Sequence, residues 1–109
     1  MTESGCLLAY ITMPDRESDL AYCETLVRER LAACANILDG ATSVYWWQGA
    51  LETGGECVCI LKTTRERYPA FFARAKETHP YDVPCIVAFS LETGNEDFFA
   101  WLRSETMPR

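Results

Sequence analysis

Thiol and imidazole groups carry most of the reactive chemistry in this chain. His79 is the single histidine, and six cysteines stand at Cys6, Cys23, Cys34, Cys57, Cys59 and Cys85. Thiolate and neutral imidazole are soft donors that suit copper and zinc, whereas magnesium and calcium want several oxygens. His79 can be read as a metal or anion ligand, or as a helix-end residue whose ring bonds a nearby carbonyl. Cys85 lies six residues further on, behind Pro80 and Pro84, which is not a recognised chelate spacing. It can equally be a buried strand thiol. Cys57 and Cys59 share one face of a strand, where they can hold a soft metal or serve as small core residues. No Cys-x-x-Cys occurs, so neither a zinc ribbon nor a thioredoxin-type motif is suggested. Lys62 is the one charge in an apolar stretch and either snorkels to water or faces a cleft as an anion clamp. The glycines form no phosphate loop, and no nucleophile–base pair or paired carboxylate stands at a telling spacing.

The elements that must position these groups follow from pattern. A strand over 6–13 is closed by Pro14, which cannot donate to a sheet ladder. Asp15 suits an N-cap, and Glu17 and Asp19 place charge where the helix dipole favours it. Leu20, Cys23, Val27, Leu31 and Cys34 then form one apolar stripe of a helix over about 16–33. Strand character returns at 35–38, is broken by Asp39 and Gly40, and resumes at 43–48. Segments 51–53 and 56–63 continue it around Gly54 and Gly55, which suggest a bulge or turn, so 38–56 reads as a long irregular hairpin. Pro69 lies in the first turn of a second helix starting near 65–67, with Tyr68, Phe72, Ala75 and His79 on its inner face and Phe71 alongside. His79-Pro80 ends it. A strand over 85–91 and a helix over 96–104, with Phe98, Phe99, Trp101 and Leu102 on one side, complete the order β-α-β-β-α-β-α. That order fits a ferredoxin-like α+β sandwich in one domain, 1–109, with an extra C-terminal helix.

Composition bounds the partners. A chain of 109 residues with 16 acidic and 10 basic side chains carries a formal charge of −6. The negative balance disfavours nucleic acid and anionic membrane. The longest uncharged apolar run, 6–11, is far short of the ~20 residues of a membrane span and of the ~7–15 of a signal-peptide core. The cysteines are therefore expected as reduced thiols in a cytoplasmic protein. One feature does not fit a monomer. A sheet covered by helices on one face should alternate apolar and polar residues. Here 7–11, 57–61 and 85–89 are apolar at consecutive positions. Something must cover the second face, and self-association is the cheapest answer.

The residues now named form a pattern. Thr12-x-Pro14-Asp15 is followed by Leu26-Val27-x-x-Arg30-Leu31-Ala32-Ala33-Cys34-Ala35-Asn36 and then by Ser43-Val44-Tyr45-x-Trp47-x-Gly49. Lys62-Thr63, His79-Pro80-Tyr81-x-Val83-Pro84 and Trp101-Leu102 complete it. Over about 7–102 the chain resembles the CutA family, the divalent-cation tolerance proteins. The resemblance implies a ferredoxin-like homotrimer packed sheet on sheet, similar in architecture to trimeric nitrogen-regulatory signalling proteins. It implies a cytoplasmic protein linked to tolerance of copper and other divalent metals, with an inter-subunit cleft lined by the motif residues and no settled catalysed reaction. On that basis Cys34, His79 and Cys85 are the metal candidates, and Lys62, Trp47 and Tyr81 the candidates for a small ligand. The family usually has a glutamate where Cys85 stands, so the site is expected to shift toward soft ions, copper above all. Two other readings stay open: a structural trimer that scaffolds partner proteins, and a small-molecule enzyme with His79 as acid/base and Lys62 as anion clamp.

Overall fold

The protein was analysed as a computed structural model, which describes residues 4–109. β1 (Cys6–Met13) is followed at once by α1 (Arg16–Arg28). The Asp15 carboxylate caps α1 by accepting the Ser18 N–H at 2.8 Å. The inner face of α1 is Asp19, Tyr22, Cys23 and Leu26. Leu20, expected on the stripe, is 46% exposed, and the neighbouring Asp19 is the residue turned inward.

α1 ends at Arg28, short of the expected Ala33. Arg30 adopts φ +64°, its N–H bonds the Val27 carbonyl at 3.0 Å, and the Leu31 N–H bonds the Leu26 carbonyl at 3.0 Å. This is a Schellman cap with arginine in the left-handed position that glycine usually takes, so the sequence carries no stop signal there. The Ala33 N–H then bonds the Lys62 carbonyl at 2.9 Å, which delivers the chain to the sheet.

β2 (Cys34–Trp47) and β3 (Ala50–Thr64) form one long hairpin. Asp39 and Gly40 do not break β2; the register slips between Leu38 and Ala41, a bulge that Gly40 accommodates at φ +86°. Gly54 and Gly55, expected to interrupt β3, stay in the ladder opposite Ser43 and Thr42. The tip is a two-residue turn in which Gln48 (φ +50°) and Gly49 (φ +81°) are both left-handed, as a type I′ hairpin requires.

α2 (Tyr68–Glu77) carries Pro69 in its first turn. It buries Phe71 and Ala75, whereas Phe72, expected inward, is partly exposed. β4 (Ile86–Ser90) and α3 (Glu96–Glu105) follow, α3 being capped by Asn95, whose side chain accepts the Asp97 N–H at 3.0 Å. The expected crowding on one side of α3 resolves into two pairs. Phe99 and Leu102 bury against Cys6 and Ala33, while Phe98 and Trp101 stack on each other, 5.7 Å between ring centroids, at the surface.

The four strands make one antiparallel sheet in the order β2-β3-β1-β4. The main core lies on one face, where Ala9, Ile11, Cys59 and Leu61 meet Leu26 of α1 and Phe71 of α2. The opposite face carries Leu8, Tyr10, Val58, Ile60, Val87 and Phe89, none of them fully buried. Phe89 is 57% and Val87 52% exposed. Beyond the Met13–Cys57 pair, the hairpin has no third strand and continues as a two-stranded ribbon. Val44, Tyr45, Trp46, Trp47 and Leu51 are all exposed on it.

Candidate functional site

An open groove of about 780 Å³ lies where this ribbon meets the loop between α2 and β4. Residues 43–47 of β2 and Tyr81, Asp82, Val83 and Cys85 of the loop line it, together with Tyr10, Thr12 and Glu56. The loop is held from below by His79. The ring Nε2–H donates to the Thr12 carbonyl at 2.9 Å, and Nδ1 accepts the Tyr81 N–H at 3.1 Å. The backbone N–H can only donate, so this pair of bonds assigns the neutral Nε2–H tautomer. The ring is buried and packs edge-on against Tyr22 at 5.4 Å and against Tyr81 at 4.9 Å. Burial holds the imidazole below its ordinary pKa, against the opposing pull of the Thr12 carbonyl.

Glu56 organises the groove. Its carboxylate accepts the Ser43 hydroxyl at 2.5 Å on one oxygen and the Tyr81 hydroxyl at 2.8 Å on the other. The ribbon and the loop are thereby tied through one side chain. Burial and the Glu56 carboxylate hold the Tyr81 phenol well above its usual range. The same two influences, burial first, raise the Cys85 thiol. Cys85 is therefore a protonated thiol in an acidic neighbourhood, and a cation that binds there must displace its proton.

The six residues singled out from sequence fall into two groups. Trp47, Tyr81 and Cys85 line the groove, with His79 directly behind Tyr81. Cys34 and Lys62 face each other across the β2–β3 ladder further along the sheet. There Lys62 Nζ donates to the Asn36 side-chain carbonyl. Burial raises the Cys34 thiol, and the nearby Lys62 charge partly offsets this. Among the described residues, Cys34, His79 and Cys85 do not form one close set of donors; the one such cluster is Asp19, Cys23 and Cys59 in the core. Ser43 and Glu56 were not among the residues singled out. A lone carboxylate at the mouth of an apolar strand was the available signal for Glu56, and for Ser43 it was its place at the head of the Ser43-Val44-Tyr45-x-Trp47 segment.

No helix among the described residues is long and apolar enough to cross a membrane. All six cysteines are free thiols. A curated relative, the divalent-cation tolerance protein CutA of Thermus thermophilus, is 44% identical over 96 residues, covering 88% of this chain and 93% of its own. The chloroplastic protein CutA 1 of Oryza sativa is 36% identical over 92% of this chain and 56% of its own. The solved structure of the periplasmic divalent cation tolerance protein CutA from Archaeoglobus fulgidus superposes with a TM-score of 0.89 at 32% identity, over 94% of this chain and 99% of that one. The Thermus and Archaeoglobus proteins are named for divalent-cation tolerance, none of the three is named for a catalysed reaction, and the Oryza protein is named as chloroplastic where the Archaeoglobus one is named as periplasmic. A family model described as CutA1 divalent ion tolerance protein matches residues 7–105, and the chain belongs to that family.

Proposed function

We propose that this divalent-cation tolerance protein works as a cytoplasmic, non-catalytic homotrimer of ferredoxin-like subunits that binds a soft metal ion or small ligand in the groove beside Glu56 and Cys85. The observation that carries the reading is the pairing of an unfinished groove with an uncovered apolar face. Isolated two-stranded ribbons are marginal in water, and one bearing Trp46 at 73% exposure needs a partner surface. Val83, on the other side of the groove, is also 73% exposed. Sheet-on-sheet packing of subunits covers both features and turns the groove into an inter-subunit cleft.

Within one subunit, the Cys85 thiol and the Glu56 and Asp82 carboxylates are the strongest donors on the groove lining, with Tyr81 and Trp47 beside them. His79 positions the loop in the arrangement described, and joins a metal only by releasing Thr12 or Tyr81. Cys34 and Lys62 lie on the same open sheet face, where a neighbouring subunit can bring them toward a cleft. A thiol in place of the usual carboxylate favours copper over magnesium or calcium.

The test is a copper titration of the purified protein at neutral pH under reducing conditions. Cys85→Ser should weaken binding by about 10–100-fold and leave the oligomer intact. Equal affinity in wild type and Cys85→Ser would overturn the metal reading of the groove.

A further inference from the structure

We propose that the core cluster of Asp19, Cys23 and Cys59, with Cys57 at its edge, is a second site that takes a thiophilic cation of the Cu(I)/Zn(II) class. It is distinct from the groove at Cys85 and does not depend on the reading given for that groove.

Two elements build it. Asp19 and Cys23 stand one turn apart on the inner face of α1. Cys57 and Cys59 project from β3 toward the same face of the sheet. One donor atom each from Asp19, Cys23 and Cys59 lies within 4.8 Å of both others. A tetrahedral zinc with Zn–S bonds of about 2.3 Å holds its sulfurs about 3.8 Å apart, so the cluster closes on an ion by small side-chain rotations. Asp19, Cys57 and Cys59 are wholly buried and Cys23 nearly so.

The cluster is also incomplete as a core. Asp19 Oδ1 accepts the Cys23 S–H at 3.5 Å, a weak bond, and Oδ2 has no donor within hydrogen-bond distance. A carboxylate oxygen buried without a partner is costly, and leucine or valine would fill the space without that cost. A cation supplies what Oδ2 lacks. Two thiolates and the Asp19 carboxylate leave a bound Zn(II) with a net charge of −1, against −2 for Cu(I) in the same three donors, so the charge balance favours Zn(II). Cys57 stands outside the close set of three but two residues before Cys59 on the same strand face, the place from which a fourth donor for a tetrahedral ion would come.

The approach is acidic. A shallow groove beside the cluster is lined by Asp15, Glu17, Asp39 and Glu56 against the single cation Arg16. Cys57 directly follows Glu56 of that lining along β3. A surface of this sign concentrates cations at the mouth. Loading then needs only local opening of the first turn of α1.

The exchange balances without redox chemistry. Each coordinating S–H bond breaks, its proton passes to buffer, and a metal–sulfur bond forms. A thiol has an ordinary pKa of about 8.5, so metal-free cysteines are protonated at neutral pH and binding releases protons in a countable number.

The experiment titrates Zn(II), and separately Cu(I) under a competing chelator, into the full chain and its variants while proton release is measured. Wild type should bind an equivalent per chain that survives Cys85→Ser and Cys34→Ser, with two or more protons released. Cys23→Ala and Cys59→Ala should each weaken that equivalent by about 10–100-fold. X-ray absorption on the Zn(II) form of Cys85→Ser, whose groove lacks its thiol, reads the core site with its own ligands intact and should show at least two sulfurs around the metal. Loss of all binding in Cys85→Ser, or a first shell of nitrogen and oxygen only, would overturn this site. Retention of this equivalent with unchanged groove binding in Cys85→Ser would instead overturn the groove reading alone.

Discussion

Removing the His79 ring separates a positioning role from a ligand role. His79→Ala deletes two hydrogen bonds at once and leaves the Thr12 carbonyl and the Tyr81 N–H without their partner. The site is only 8% exposed, so water does not readily replace the ring. An unpaired buried polar group costs about 1–3 kcal/mol, and two of them predict a loss of about 2–6 kcal/mol. The edge-on packing against Tyr22 is lost as well. Two further variants divide the effect. In His79→Asn the amide oxygen can accept the Tyr81 N–H as Nδ1 does. In His79→Gln the amide N–H₂ can donate to Thr12 as Nε2 does. Each should recover roughly half of the loss. The assay is urea unfolding followed by far-UV circular dichroism, at one fixed chain concentration because the apparent stability of the proposed trimer depends on it. A loss under about 0.5 kcal/mol for His79→Ala, or no recovery in both amide variants, would refute the account of the loop.

The same histidine gives the protein a pH signature. Its folded pKa lies below the ordinary value of about 6.5, so its contribution is fully present above that pH and is lost as pH falls through the folded pKa, by at most about 1.4 kcal/mol per pH unit; His79→Gln should flatten the unfolding free energy between pH 7 and about 5.5, and an unchanged slope would count against it. Phe71 is wholly buried between α2 and the sheet, so Phe71→Ala should cost about 3–5 kcal/mol in the same urea assay, and a cost under about 1 would show the core misassigned. Arg30 sits in the left-handed position of the α1 cap and also pairs with Glu105 at 2.6 Å. Glycine relieves about 1 kcal/mol of backbone cost while the partly exposed pair is worth about 0–1 kcal/mol, so Arg30→Gly should be neutral or mildly stabilising; destabilisation beyond about 1 kcal/mol would contradict the cap.

Much of the scaffold was legible because its signals are local. Pro14 and Asp15 mark the end of β1 and the cap of α1, and Asn95 marks the start of α3. What local reading missed was decided by tertiary context. The end of α1 was invisible because arginine occupies a position where glycine is the usual marker. Asp39 and Gly40 read as a break, yet they are held in β2 because β3 runs the full length of the ribbon beside them. Cys23 of α1 and Ala75 of α2 lie inward as the apolar stripes require, but Asp19 is inside in place of Leu20, and Phe71, expected beside the stripe, is buried in place of Phe72. The consecutive apolar residues of β1, β3 and β4 did announce a sheet with a second apolar face, and the side chains there are indeed uncovered in the single chain. At the groove, Tyr81, Trp47 and Cys85 carried recognisable residue chemistry. Glu56 did not, because its role comes from two hydroxyls thirteen and twenty-five residues away along the chain.

Covering of the open face by copies of the same chain is the claim on which the groove depends, and light scattering on the purified protein tests it most directly. At micromolar concentration the account predicts a single species of three chain masses. Val87→Asp should break it apart, since that side chain is 52% exposed in the subunit and would place a charge inside the packed sheets. A folded species of one chain mass in wild type, with the far-UV spectrum of this α+β fold, would contradict it.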